Sequence, residues 1–76
     1  MPELPVVTGR EAIRAFARVG FEEVHVKGSH HVLKKADHPH RLSVPVHGNK
    51  PLKKGTLRSL IRVAGITVEE FVSLLE

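Results

Sequence analysis

All six histidines of this 76-residue chain fall between residues 25 and 47, and the densest stretch reads Lys27-Gly28-Ser29-His30-His31. Imidazole is the side chain whose ordinary proton affinity lies near neutral pH, so it can accept a proton at one step and donate one at another. The same segment is strongly basic. From Val24 to Arg62 nine lysines and arginines stand against one acid, Asp37, a net charge of +8; the two ends carry three arginines and seven glutamates, a net charge of −4. Histidines embedded in positive charge suit a polyanionic partner, with solvated surface charge as the plainer alternative.

RNA is the polyanion for which this set of residues is chemically sufficient. It carries its own nucleophile, the 2′-hydroxyl, so breaking its phosphodiester requires no serine, cysteine or metal. It requires a base for the hydroxyl proton, an acid for the leaving oxygen and cations for the phosphate. Neighbouring lysines disfavour protonation of an imidazole; that improves a base and weakens an acid, so a second proton-transfer group is expected. Metal chemistry fits less well. His30, His31, His38, His40 and His47 offer imidazoles to zinc, but there is no cysteine and no HExxH spacing. Asp37 is the only nearby carboxylate, and the surrounding cations repel a divalent ion. No metal and no small-molecule cofactor is expected.

Each candidate also has a structural reading. His31 shares a strand face with Leu33 and reads as a packing residue, whereas His30 shares the opposite face with Val32 and Lys34 and reads as the chemical one. His38 and His40 flank Pro39 and read as solvated turn residues. His47 closes a strand and can reach either the face of His30 or its rim. Gly28 reads as a turn residue of positive φ whose missing Cβ also lets a phosphate approach the backbone.

The elements that must position these residues follow from pattern. Thr8-Gly9-Arg10-Glu11 is a capping box, with Ala12, Ile13, Phe16 and Ala17 on one helical face and Gly20 as the stop. Phe21–Lys27 alternates, with Val24 and Val26 against His25 and Lys27. A turn at 27–29 leads to a second strand, His30–Lys35, and a turn around Pro39 to a third, Arg41–His47, which Pro45 marks as an edge. A basic loop precedes a helix from about Gly55 or Thr56, with Leu57, Leu60, Ile61 and Ala64 on one face and Gly65 at its end. Thr67-Val68-Glu69-Glu70 is a second capping box, before Phe71, Val72 and Leu75.

The order α-β-β-β-α plus a short C-terminal helix predicts an α+β fold. Two helices cover one face of an antiparallel sheet in a two-layer sandwich like a double-stranded-RNA-binding domain, and the other face stays in water. A single domain spans residues 1–76. Only 41% of residues are apolar and the three aromatics are all Phe, so the core is small and any site lies on a surface or in a shallow groove. The N-terminus has no signal-peptide pattern and no run is long enough to span a bilayer, so a soluble cytoplasmic protein without membrane contact is expected.

Three blocks in this order, Gly28-Ser29-His30, Val44-Pro45-Val46-His47 and Gly55-Thr56-Leu57-Arg58 running to Ala64-Gly65-Ile66, resemble the HicA toxin (YcfA-like) family of small RNA-cleaving proteins over roughly residues 9–75. The resemblance implies a double-stranded-RNA-binding-like fold and an mRNA interferase of a type II toxin–antitoxin system, held in check by a HicB-type antitoxin that covers the active surface. The family's catalytic histidine falls on His30, and Gly28 matches the glycine of the same motif. Where the family often has an aromatic three residues after the histidine, this chain has Leu33.

The expectation is therefore a metal-independent endoribonuclease. His30 transfers protons, His47 is the candidate for the second transfer, and Lys27, Gly28, Ser29, Lys34, Lys35, Arg41 and Lys50 hold RNA. The alternative is an RNA-binding module of the same fold without catalysis, which needs no imidazole at the turn. A DNA-reading helix-turn-helix over 56–75 is disfavoured, because its second helix carries Glu69, Glu70 and Glu76 and no lysine or arginine.

Overall fold

A computed structural model describes residues 3–75. Its elements run α1 (Gly9–Ala17), β1 (Glu22–Lys27), β2 (His30–Lys34), β3 (Leu42–Pro45), α2 (Lys54–Ala64) and α3 (Val68–Leu74). Both expected capping boxes form. Thr8 Oγ1 accepts from the Glu11 amide while the Glu11 carboxylate accepts from the Thr8 amide, and Thr67 and Glu70 repeat the arrangement. The Thr8 backbone bond, followed by that to its side chain, holds the Glu11 carboxyl below its ordinary proton affinity. Gly20 (φ 104°) and Gly65 (φ 79°) adopt the left-handed backbone that ends α1 and α2.

The sheet has the order β1-β2-β3 and is antiparallel throughout. Leu33, Leu42 and Val44 point from its inner face into one cluster with Ala12, Ala15 and Phe16 of α1 and Leu57, Leu60, Ile61 and Ala64 of α2. Both helices thus cover the same face, as in double-stranded-RNA-binding domains. The three phenylalanines, each at most 2% exposed, form the aromatic centre. Phe16 meets Phe21 edge-on at 6.0 Å and Phe71 at 5.2 Å, so α3 closes the core end left open by α1. Among the described residues no helix is long and apolar enough to cross a membrane.

Several boundaries and facings differ from the sequence pattern. Strand β2 ends at Lys34 and β3 at Pro45, each short of the expected limit, and α2 begins at Lys54. On α1 the buried alanines are Ala12 and Ala15, while Ala17 is exposed. Strand β1 is exposed along its whole length, with Val24 and Val26 about half open (49% and 47%), because it is a sheet edge beyond the reach of both helices. A bulge lies between Glu23 and His25. The extra residue reverses strand parity, turning Glu23 toward the helix layer and leaving Glu22 on the open side. The N-terminal segment, for which the pattern has no signal, pairs with the loop before α2: Thr8 bridges Pro51, and the Leu52 amide donates to the Val7 carbonyl at 2.8 Å. Gly9 is buried against β3, where a Cβ would run into the Pro45 carbonyl oxygen and Val46.

Candidate active site

The Gly28-Ser29 turn sets the site. Lys27 and His30 are partners across a two-residue hairpin, and Gly28 takes φ 59° while Ser29 stays out of the positive-φ region. These are the φ signs of a type II′ turn, which requires glycine first. Open space surrounds the position a Gly28 Cβ would take, so the backbone angle, not crowding, selects the residue. The Ser29 carbonyl accepts from the Val46 amide at 2.7 Å, fastening the turn to the end of β3.

Register then assigns faces. His30 pairs with Lys27 on one side and Pro45 on the other, and Val32 pairs with His25 and Ser43. His25, Lys27, His30, Val32, Ser43 and Pro45 therefore share the open face, away from both helices. His30 is exposed, and its Nδ1 lies 3.4 Å from Ser43 Oγ, a contact at the outer limit of a hydrogen bond. The ring is steered by a neighbour and still reachable by a ligand.

His31 takes the other face. Its ring is mostly covered, and Nδ1–H donates to the Glu23 carboxylate, which the bulge turned inward. Arg10, Ile13 and Arg14 of α1 line the hollow beside this pair. His38 is not simply solvated: its Nε2–H donates to the Val63 carbonyl at 2.7 Å, and its ring meets Phe21 edge-on at 5.3 Å. It ties the β2–β3 connection to the last turn of α2.

The remaining candidates divide into near and far. Lys27 is the direct neighbour of His30. His47 lies past the end of β3, exposed, lining a hollow with Pro45, Lys50, Lys53 and Thr56; its carbonyl accepts from the Lys50 amide at 3.0 Å. Because Pro45 is opposite His30, that hollow adjoins the face of His30. Lys34 is on the same face but four residues along, opposite Glu22, roughly 13 Å away by strand rise. Arg41 precedes β3 at that same far end. Lys35 is not brought to this face: its stem packs on Gly20 and its ammonium lies 5.7 Å from the centre of the Phe21 ring. His25 is the functional candidate that motif reading misses, and its signal is alternation: sharing parity with Lys27 before a two-residue turn places it beside His30.

Among the described residues no three histidines or carboxylates are placed to hold a metal ion together. What is assembled is an imidazole-and-lysine surface continuous with a second basic hollow. Residues 9–66 match the family described as HicA toxin of bacterial toxin-antitoxin. The chain belongs to the HicA toxin family. No curated protein matches it significantly. Membership makes it a toxin-type component of a toxin–antitoxin pair, and the match spans every strand, α1, α2 and the His30 turn. Helix α3 lies outside the matched residues and supplies Phe71 to the core.

Proposed function

We propose that this HicA-family toxin is a metal-independent endoribonuclease that cleaves mRNA in the cytoplasm on the open face of its sheet. The observation that supports this most is the setting of His30, an exposed imidazole directly opposite Lys27 at the head of a turn tied to β3. His30 takes the 2′-hydroxyl proton, and Lys27 faces the phosphate whose charge grows in the transition state. The Gly28-Ser29 turn lets the RNA backbone approach. His47 and Lys50 hold the adjoining phosphate in their hollow. Lys34 extends the cationic track along the same face, and Lys35 and Arg41 serve as peripheral attraction. A HicB-type antitoxin neutralises the protein by covering this face.

The test is incubation of the purified chain with a defined single-stranded RNA in the presence of EDTA, beside His30→Ala. The wild type is expected to cut and the variant to lose cutting with its circular dichroism unchanged, because His30 is exposed and bears no core contact. Binding without cutting by either protein would leave an RNA-binding module, and cleavage abolished by EDTA would return the reaction to a metal.

A further inference from the structure

One imidazole cannot be both base and acid in a single step, so an RNA-cleaving site built on His30 lacks a proton donor for the leaving oxygen. The sequence motif offers His47, but His47 lies beyond the strand, in a turn, turned toward Lys50 and Lys53. The sheet offers another imidazole in a fixed place. His25 is paired with Val32, two residues along from His30, and precedes by two the Lys27 that faces His30. Diagonal neighbours of this kind stand with their Cβ atoms roughly 7 Å apart on one face, leaving room for a phosphate between two rings that both project into solvent.

We propose that His25 is the second catalytic residue, the acid that protonates the leaving 5′ oxygen; this rests on the ribonuclease reading above. The step balances. The 2′ oxygen bonds to phosphorus as its proton passes to His30, and the bond from phosphorus to the 5′ oxygen breaks as that oxygen takes the proton of the His25 imidazolium. The products are a 2′,3′-cyclic phosphate end and a 5′-hydroxyl end, and both rings reset by exchange with water. His30 has Lys27 across from it, whereas His25 has Lys27 on one side and, toward the other end of β1, Glu22, the one acid of that face among the described residues; Lys34 stands opposite Glu22.

The experiment compares single-turnover cleavage by the wild type, His25→Ala, His47→Ala and His30→Ala on ordinary RNA and on RNA whose 5′ bridging oxygen is replaced by sulfur. A thiolate leaves without protonation, so it needs no acid. His25→Ala is expected to lose roughly 10²–10⁴-fold on ordinary RNA and to regain near wild-type rate on the thio substrate, while His30→Ala stays slow on both. The acid must be protonated and the base neutral, so the wild-type rate falls toward both low and high pH. His25→Ala should lose the alkaline limb. Wild-type rates for His25→Ala, or a loss that sulfur does not rescue, would overturn the assignment while leaving His30 in place. The same rescue seen in His47→Ala instead would move the role there. If the wild type cuts neither RNA, the ribonuclease reading itself fails and this inference falls with it.

Discussion

His30 and His31 are neighbours in sequence and occupy opposite faces of one strand, so identical side chains meet different physics. His30 faces solvent beside Lys27; His31 faces α1 and donates to Glu23. Replacing His31 by Ala removes a partly covered hydrogen bond to a carboxylate and the packing of the ring. The expected cost is about 1 kcal/mol, read as a lower denaturant midpoint, with RNA cleavage retained once the protein is folded. A His31→Ala protein that is as stable as wild type but inactive would place the chemistry on the wrong imidazole. The distinction was legible from alternation alone, since Leu33 shares the parity of His31. The partner was not: Glu23 faces inward only because of the bulge after it, and nothing in Glu22-Glu23-Val24-His25 marks an inserted residue.

At the scale of elements, α3 is a short helix whose existence rests on two features, the Thr67–Glu70 capping box and Phe71. Phe71 is fully buried against Phe16. A helix this short has little stability of its own, so its docking depends on that ring. Phe71→Ala is expected to cost about 3–5 kcal/mol, measured by chemical denaturation. That is a large part of a small domain's stability. A loss under 1 kcal/mol would show that α1 and α2 close the core without α3. Helices were the most legible elements because their signals are local: capping boxes, a three-to-four residue apolar period, and glycine where φ must turn positive. Strand limits were less so. Pro45 can end a ladder but does not say where, and the pairing of residues 7–8 with 51–52 depends on contacts between segments more than forty residues apart. Val24 and Val26 look like core residues in sequence, yet an edge strand lying past both helices has nothing to bury them.

For the whole molecule the arrangement of charge separates what serves the fold from what serves a partner. Helices α1 and α3 start with Glu11 and with Glu69 and Glu70, where carboxylates complement the positive end of a helix. Helix α2 does the reverse. Its N-cap is Lys53, which makes no side-chain capping bond, Lys54 follows, and its first turn has no acid. These lysines oppose local stability, and Lys53 lines the hollow of His47 and Lys50, which is intelligible if it is kept for a polyanion. Lys53→Asp should therefore raise stability by about 1 kcal/mol, because aspartate caps the free amides, and should weaken RNA binding. Lys53→Asn should share most of the stability gain without adding negative charge, and should lower the slope of log affinity against log salt by roughly 0.7 if one single-strand phosphate contact is lost. Thermal unfolding and binding titrations at several salt concentrations measure the two effects independently. A gain in stability with unchanged RNA affinity and unchanged salt slope would remove the α2 start from the RNA surface and confine that surface to Lys27, His30 and the open sheet.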